Sequence, residues 1–255
     1  MKLLAIDAGN TRIKWGLHDG SVWLQRGVMP AGGMSTLPSV LMQQPDHLII
    51  SNVSGPAADA AFMALLPSLP RYFVRAAHEQ CGVINGYADA AQLGSDRWAT
   101  LIAVHRLNTG ARFGAASNTP ERSGDMPALA VTAGTALTVD ALHHGHFLGG
   151  IIMPGYRLMH GALAAGTAQL NDIPGNHAVF PRNTCDAIST GCLLAMTGCV
   201  EQMRTAMRQH SGWDAAIWLN GGDAALLAPH FPAVSVLEEN LVLTGLYFIA
   251  LEVFA

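Results

Sequence analysis

The chain has 255 residues, half of them apolar and only 13% charged, with a formal net charge of −4 at pH 7. This composition predicts a compact globular protein, and the acidic balance argues against a broad nucleic-acid-binding surface, which needs a basic excess. The sequence has no apolar run of about 18 residues, so it predicts no membrane span. We therefore expect neither nucleic acid nor a membrane as a partner.

The four cysteines form no Cys-x-x-Cys pair. A strand is predicted almost from the first residue, which leaves no room for a signal peptide. Reduced, structural thiols and a cytoplasmic location are therefore expected.

The first predicted elements form a β-hairpin with a polar tip. Residues 3–6 are an apolar run, and residues 13–17 alternate between apolar and more polar side chains, as in a second strand. Between them the chain reads Asp7-Ala8-Gly9-Asn10-Thr11. Gly9 permits a positive φ and the close approach of a ligand, while Asn10, Thr11 and nearby backbone N–H groups suit phosphate oxygens.

Two charged residues extend this interpretation. Asp7 is placed to hold a hydrated Mg²⁺ that faces the phosphates, and Lys14 is placed to neutralise phosphate charge. The alternative is an ordinary tight turn, because Asx-Gly hairpins are common. The sequence contains no Gly-x-x-x-x-Gly-Lys-Ser/Thr loop, which excludes a Walker A site.

After the hairpin the pattern predicts a strand, a helix, a strand, a helix, a strand and a helix, over residues 21–27, 36–43, 47–53, 57–66, 71–74 and 92–107. Residues 112–127 have no apolar period and are rich in Ser, Asn, Pro, Gly and charged residues. This stretch is interpreted as a flexible loop near a domain boundary.

The pattern of the first hairpin then returns. A strand over 128–131 leads into the small-residue turn Thr132-Ala133-Gly134-Thr135-Ala136 and a returning strand over 137–141. This repeat predicts an internal duplication, and two such hairpins facing each other would form a cleft between domains. The remaining predicted elements are a strand, two helices, a strand and two helices, over 147–153, 156–170, 184–208, 216–220, 226–228 and 241–254.

A second motif, Gly94-Ser95-Asp96-Arg97, stands at the start of a predicted helix. The arginine can clamp a carboxylate in a bidentate manner, and the aspartate can accept a proton from an alcohol. The alternative is a helix N-cap made by Ser95 or Asp96, with Arg97 in solvent. His143, His144 and His146 lie on a predicted hairpin and alternate faces, which favours a surface turn over a metal site.

The motifs Asp7-x-Gly9-Asn10-Thr11-x-x-Lys14, Gly94-x-Asp96-Arg97 and Gly134-Thr135-Ala136 resemble those of type III pantothenate kinases in order and spacing. The resemblance implies membership of the acetate and sugar kinase, Hsp70 and actin superfamily. The implied fold class is α/β, with two ribonuclease-H-like (actin-like ATPase) domains and a cleft between them. The domains are expected over residues 1–118 and 128–255, joined by a linker over 119–127.

The resemblance also implies an activity, the ATP-dependent phosphorylation of pantothenate to 4′-phosphopantothenate for coenzyme A synthesis. In the family the motif aspartate is the general base, which corresponds to Asp96 here. The residues implied in pantothenate binding are Tyr87, Gly94, Ser95, Asp96, Arg97 and Thr184. The residues implied in ATP binding, with Asp7 on Mg²⁺, are Asp7, Ala8, Gly9, Asn10, Thr11, Arg12, Ile13, Lys14 and Thr135.

At one position the chain departs from the family pattern. Thr132 stands where the family commonly has an aspartate that binds a monovalent cation, and a hydroxyl is a weaker cation ligand than a carboxylate. This difference argues against a requirement for K⁺ or NH₄⁺. The runs 149–155 and 220–224 are similar to a structural segment of the family and to its adenosine-side loop. For the second run, the alternative is an Asx turn.

The family is a cytoplasmic homodimer in which a threonine, matched here by Thr184, reaches pantothenate across the interface. A helix N-cap is the simpler interpretation of Thr184, and both can hold. Two other functions stay open. One is a non-catalytic, nucleotide-binding accessory factor for transcription, and the other is an ATPase or kinase of the same fold with a different substrate.

Overall fold

The computed structural model of the chain describes residues 1–31, 44–65, 67–110, 126–167, 170, 173–231 and 235–255. The chain forms two compact units. The first contains Met1–Asp125, His144–Leu148 and Asn240–Ala255, and the second contains Met126–His143 and Gly149–Glu239. The sequence-based division placed 144–148 and 240–255 in the second domain, and most of its linker lies outside the described residues.

Short strands alternate with helices along the described chain. The strands are β1 (Leu3–Ala8), β2 (Arg12–His18), β3 (Trp23–Pro30), β4 (His47–Asn52), β5 (Arg71–Phe73), β6 (Glu79–Gln80), β7 (Val83–Asn85), β8 (Ala128–Ala133), β9 (Ala136–His143), β10 (His146–Pro154), β11 (Ala216–Asn220) and β12 (Ser235–Leu237). The helices are α1 (Pro56–Leu65), α2 (Ser95–Asn108), α3 (Tyr156–Gly166), α4 (Thr184–Ser211), α5 (Ala224–Leu227) and α6 (Leu241–Val253), with 3-10 turns at Ala90–Gln92 and Ala228–His230.

In the first unit, β1 is the central strand of a sheet with the order β3-β2-β1-β4-β5. It pairs antiparallel with β2 and parallel with β4. The run Leu3-Leu4-Ala5-Ile6 is fully buried because both faces of this strand are covered, which explains why it shows no polar alternation. A short antiparallel pair, β6 and β7, lies beside the start of β10, with Phe147 opposite Asn85.

Helix α6 packs against α2 and β1 and completes the first unit. The two helices approach closely at Gly245, where an added Cβ would overlap the carbonyl oxygen of Ala99. Trp98 of α2 is fully buried, and its indole N–H donates to Oε1 of Gln80 at 3.1 Å. Helix α2 is thereby fixed against β6 as well as against α6.

The second unit repeats the strand order of the first. Its strands lie in the order β10-β9-β8-β11-β12, which is the same 3-2-1-4-5 order counted from the first strand of each unit. Here β8 pairs antiparallel with β9 and parallel with β11. Leu193, Met196 and Val200 of α4 recur at helical spacing and pack on the apolar residues of this sheet. The predicted internal duplication is therefore confirmed.

The elements predicted from apolar periodicity are present, with shifted ends. Strand β3 continues to Pro30, α2 begins only at Ser95, and α3 ends at Gly166. The short strands β6, β7 and β12 were not predicted, because two or three residues show no periodicity. The predicted helix over 36–43 and almost all of the loop over 112–127 lie outside the described residues.

All four cysteines carry free thiols. Over the described ranges, no helix is both long enough and apolar enough to cross a membrane.

Candidate active site

The first polar turn connects β1 to β2 through Gly9, Asn10 and Thr11. The Gly9 N–H donates to the carbonyl oxygen of Arg12 at 3.1 Å, which closes the loop. Gly9 does not adopt the positive φ that glycine permits, since its backbone lies outside the left-handed region. Glycine is instead favoured because there is little room for a side chain, since an added Cβ would lie 3.2 Å from the Arg12 carbonyl oxygen. Asn10, Thr11 and Arg12 are exposed and can meet a ligand.

Asp7 and Lys14 lie opposite each other on β1 and β2 at the base of this turn. Burial raises the pKa of the Asp7 carboxyl from 3.8 to about 7, the Asp96 carboxylate adds to the increase, and Lys14 opposes it. The structure thus brings Asp7 and Asp96, which are far apart in sequence, close enough for their charges to interact. A nearby cation would favour the ionised form of both carboxyl groups.

The donor set suits magnesium. Mg²⁺ is commonly held by one or two carboxylates together with water and substrate phosphates, rather than by a full cage of protein ligands. Across the described parts of the chain, no three His, Cys, Asp or Glu side chains cluster as a metal site would require. The Asp7 carboxyl, with the Asp96 charge near it, therefore fits a metal that arrives with a nucleotide.

Helix α2 begins directly beside these carboxylates. Its N-cap residue is Gly94, which makes no side-chain capping bond, so the interpretation of Ser95 or Asp96 as an N-cap is wrong. The Ser95 hydroxyl lies 2.9 Å from the hydroxyl of Ser51, which neighbours Asp7 in the β1–β4 pairing. An added Cβ at Gly94 would lie 2.7 Å from Oδ1 of Asp96. The start of α2 is thus held against the C-terminal ends of β1 and β4, where Asp7 and Ser51 lie.

Asp96 is partly buried at this position. Oδ1 of Asp96 accepts a hydrogen bond from the Arg97 N–H at 2.8 Å. Burial raises the pKa of Asp96, whereas the Arg97 N–H and the guanidinium charge oppose the increase. A carboxylate with a raised pKa is a stronger base than an ordinary aspartate.

Arg97 is buried rather than solvated, with 7% of the residue exposed. Its Nη1 donates to the hydroxyl of Tyr87 at 3.1 Å. The guanidinium carbon lies 5.7 Å from the Tyr87 ring centroid and 5.9 Å from that of Phe147. A buried guanidinium that is flanked by aromatic rings is well suited to hold a carboxylate. Phe147 was predicted only as a strand residue, because nothing in the sequence brings it near Arg97.

The second polar turn, in the second unit, connects β8 to β9 through Gly134 and Thr135. The Gly134 N–H donates to the Ala136 carbonyl oxygen at 3.0 Å, and the Gly155 N–H donates to the Thr135 carbonyl oxygen at 2.9 Å. An added Cβ at Gly155 would overlap the Gly134 carbonyl oxygen. Thr135 is exposed. The shape of this turn therefore depends on the run that ends in Pro154-Gly155.

The loop over 220–224 lies against the same turn. Gly221 has a φ of +103°, and a Cβ there would overlap the backbone of Ala133. Nδ2 of Asn220 donates to the Thr132 hydroxyl at 2.8 Å. The Thr132 hydroxyl is thus already engaged as a hydrogen-bond acceptor.

Thr184 is the first residue of α4 and is exposed. The N-cap is Asn183, whose side chain accepts a hydrogen bond from the Asp186 N–H at 3.0 Å, so the capping role predicted for Thr184 belongs to its neighbour. Thr184 lines a groove of about 990 Å³ between α3 and the start of α4. Other residues that line the groove include Met159, Leu163, Pro181, Arg182 and Ile188.

His143, His144 and His146 lie around the turn between β9 and β10. His144 has a φ of +50° in the turn between β9 and β10, and His143 faces the ring of His210 at 5.9 Å. This geometry agrees with the surface-turn interpretation.

Solved structures resemble the whole fold. A chain from Campylobacter jejuni, described as a conserved Baf family transcriptional activator, matches with a TM-score of 0.60 and 18% identity over 98% of both chains. A protein from Listeria monocytogenes, described as an N-acetylmannosamine kinase, matches with a TM-score of 0.52 and 13% identity over 99% of both chains. At these identities the likeness supports the two-domain, actin-like ATPase fold class and nothing finer.

Sequence relatives are more specific. The family profile described as type III pantothenate kinase matches residues 3–206. Type III pantothenate kinases from Nitrosospira multiformis and Aromatoleum aromaticum are each 39% identical over 98% of this chain, covering 91% and 98% of those proteins. One from Burkholderia mallei is 40% identical over 97% of this chain and 98% of its own length. The chain belongs to the type III pantothenate kinase family.

Proposed function

We propose that the protein transfers the γ-phosphoryl group of ATP to the 4′-hydroxyl of pantothenate, giving 4′-phosphopantothenate, the first step of coenzyme A synthesis. One observation carries this proposal beyond family membership. Asp7 at the first turn and Asp96 at the start of α2 interact electrostatically, and Arg97 and Tyr87 are bonded to each other beside Asp96. A base, a carboxylate-binding pair and a phosphate turn therefore occupy one unit.

In this proposal Asp96 is the general base. Phosphoryl transfer passes through a loose transition state, so the enzyme mainly needs alignment and charge neutralisation. Asp96 accepts the proton of the acceptor hydroxyl as the new P–O bond forms, and ADP leaves. Arg97 and Tyr87 bind the carboxylate of pantothenate, which orients the hydroxyl toward Asp96. Gly94 leaves room for Oδ1 of Asp96.

The two polar turns bind ATP. Backbone N–H groups over 8–13 and the side chains of Asn10 and Thr11 hold phosphate oxygens, and Lys14 neutralises phosphate charge. Thr135 binds the nucleotide from the second turn. Asp7 would hold Mg²⁺, which supplies neutralisation of the phosphate oxygens during transfer.

We also propose that the activity does not require K⁺ or NH₄⁺. The position that would supply the carboxylate ligand is Thr132, and its hydroxyl already accepts a hydrogen bond from Asn220. A neutral hydroxyl with one lone pair engaged is a weak ligand for a monovalent cation.

We further propose that the protein is a homodimer and is located in the cytoplasm. Helices α3 and α4 and the segment between them expose several large apolar side chains, namely Leu158, Leu163, Ile173, Phe180 and Leu194. Exposed apolar side chains of this size are suited to a protein interface. We place Thr184 in the partner's acceptor site, and the free cysteines suit a reducing compartment.

The direct test measures ADP release with Mg-ATP, with and without pantothenate, and each with and without K⁺. Pantothenate-dependent release that ignores K⁺ is expected. Release that ignores pantothenate would indicate an ATPase or another acceptor. No release from folded protein would favour the non-catalytic nucleotide-binding role.

The base is tested by Asp96→Asn, which keeps the side-chain shape but cannot accept the proton. We expect kcat to fall by about 10²–10⁴-fold, while the KM for ATP stays within about twofold. Asp214→Asn, which changes an exposed carboxylate in the second unit, is the matched control. A kcat for Asp96→Asn near the wild-type value would exclude Asp96 as the base.

The shared acceptor site is tested by mixing two inactive variants, Asp96→Asn and Thr184→Arg. A heterodimer would contain one site with both native residues, so subunit exchange should restore about one quarter of the wild-type activity. If activity is not restored while native mass spectrometry, which resolves the different masses of the two variants, shows a mixed dimer, Thr184 does not act across the interface.

A further inference from the structure

We infer that Phe147 is a positioning residue for the acceptor site, whose ring holds Arg97 and Tyr87 in their binding orientation. The inference rests on the proposed role of Arg97 and Tyr87 in binding the acceptor carboxylate. Phe147 itself is fully buried, so it acts through these two residues and not by touching the substrate.

The three side chains form a closed cluster. The Phe147 ring centroid lies 5.1 Å from that of Tyr87, with the ring planes at 47°. The Arg97 guanidinium lies 5.9 Å from the Phe147 ring and 5.7 Å from the Tyr87 ring, and it donates to the Tyr87 hydroxyl. Each side chain therefore limits the movement of the other two.

The backbone holds the Phe147 ring in place. Phe147 lies opposite Asn85 in the β7–β10 pair. The Asn85 side chain accepts a hydrogen bond from the Tyr87 N–H at 3.0 Å and donates to the Ala77 carbonyl oxygen at 3.2 Å. An added Cβ at Gly86 would overlap the Phe147 carbonyl oxygen. The loop with Tyr87 and the strand with Phe147 are thus in direct contact.

The physical effect is on the guanidinium. An arginine side chain has many rotamers, and fixing it for a bidentate contact costs entropy unless neighbouring groups already restrict it. A buried aromatic face restricts it and also attracts the cation through the ring quadrupole. Without that face, Arg97 and Tyr87 gain rotamers, and acceptor binding weakens while the first turn is unchanged.

The test is Phe147→Leu, which keeps an apolar side chain but removes the aromatic face. We expect the KM for pantothenate to rise about tenfold, with the KM for ATP within about twofold. Phe147→Tyr keeps the ring and should retain most of the acceptor affinity. The matched control is Phe248→Leu, because Phe248 lies 5.2 Å from the Arg106 guanidinium in the same unit, at a cation–π contact outside the acceptor site.

A double-mutant cycle separates positioning from general destabilisation. In an Arg97→Lys background, Phe147→Leu should have a much smaller effect on the KM for pantothenate, because the residue that it positions is already lost. Independent effects in the two backgrounds would overturn the inference. So would a wild-type KM for pantothenate in Phe147→Leu.

A readout without substrate keeps this inference distinct from the proposed function. The ring current of Phe147 should shift the NMR signals of Tyr87, and the shift should disappear in Phe147→Leu but persist in Phe248→Leu. If wild-type protein is inactive with pantothenate yet shows this pattern, the positioning holds and the assigned substrate is wrong. If the Tyr87 signals do not respond to Phe147→Leu, the positioning is wrong whatever the substrate is.

Discussion

Asp7 is a carboxyl group that changes its charge near neutral pH. Its folded-state pKa of about 7 exceeds the ordinary value of 3.8, so between these values the folded chain binds a proton that the unfolded chain has released. By linkage, this group makes the metal-free protein lose stability as the pH rises from about 4 to about 7. A cation at Asp7 would oppose that loss by favouring the ionised form.

We therefore expect Asp7→Asn to be more stable than wild type at pH 8 in the absence of metal, and closer to it at pH 5. Each pKa unit corresponds to about 1.4 kcal/mol, and about 1 kcal/mol moves the Tm of a chain of this size by roughly 2–4 °C. In thermal unfolding at pH 8 without metal, the Tm of Asp7→Asn should be several degrees higher than that of wild type.

The same experiment with Mg-ATP should reverse the order of the two proteins, because Asp7→Asn loses a metal ligand. Asp214→Asn serves as the control, since it removes an exposed carboxylate and should change neither profile. A Tm difference between Asp7→Asn and wild type that does not vary with pH would contradict the assignment of a raised pKa to Asp7.

At the scale of elements, the contact between α2 and α6 depends on a single small residue. Gly245→Ala places a Cβ against the carbonyl oxygen of Ala99, so the helices must separate. Overpacking of this kind costs about 1–3 kcal/mol, which urea unfolding should detect as a lower midpoint. Because α2 begins with the motif that contains Asp96, we also expect a lower kcat.

Gly198→Ala is the matched control for this substitution. Gly198 is a helical glycine in α4 with no atom near the place of an added Cβ. Alanine there should stabilise the protein by up to about 1 kcal/mol through helix propensity. Equal destabilisation by both substitutions would show that helix separation is not the cause.

The helices and strands also show which parts of the fold can be predicted from sequence patterns. The apolar run of β1 and the Asp-x-Gly-Asn-Thr turn are local, and periodicity and residue type predicted both. The apolar helix α6 was predicted too, but a helix with apolar residues on every side can pack on either unit, and only the folded chain shows that it packs on β1 and α2. The two-residue strand β6 has no period for a pattern to detect.

The site was predictable to the extent that its chemistry lies in contiguous motifs. Asp96 and Arg97 could be found because they are adjacent in one short motif, Gly94-x-Asp96-Arg97, which resembles that of the family. Ser51 and Phe147 lie in ordinary strands, and their contacts with Ser95 and Arg97 form only through tertiary pairing. Such contacts cannot be inferred from one sequence, because no local pattern specifies which strand residue faces which helix residue.

At the scale of the whole molecule, we expect two histidines with lowered pKa values, His18 and His105, to reduce stability in acid. His18 is fully buried where β2 meets α6, 4.1 Å from the Tyr247 ring, and its Nδ1 accepts the Gly20 N–H at 2.9 Å. Burial lowers the pKa of His18, against a weaker opposing effect of Asp19. Burial also lowers the pKa of His105, with a further decrease from Arg106.

A lowered folded-state pKa makes stability depend on pH in the opposite direction from the raised pKa of Asp7. Below 6.5, the ordinary value, the unfolded chain binds protons that folded His18 and His105 do not accept. Stability therefore decreases as the pH falls through 6.5. We expect the Tm of Asp7→Asn, in which the opposing effect of Asp7 is absent, to decrease from pH 7 to pH 5. The decrease should be smaller when His18→Gln is added, since the glutamine amide oxygen can still accept the Gly20 N–H.

Because Asp7 and the histidines act in opposite directions over overlapping pH ranges, their contributions to the stability of the metal-free wild type partly cancel. The background Asp7→Asn isolates the histidine contribution, and His18→Gln in that background should flatten the remaining acid slope. A profile in which His18→Gln is as steep as wild type would assign the acid limit to other groups.

The assignment of α6 to the first unit has a consequence for how the chain is made. A ribosome synthesises β1 through α2 first, then every residue of the second unit, and only afterwards the helix that covers β1 and packs on α2. Domains usually fold in the order of their synthesis. Here the second unit can complete its core first, while the nascent first unit must wait with an uncovered apolar face, which makes it a candidate for chaperone capture during translation.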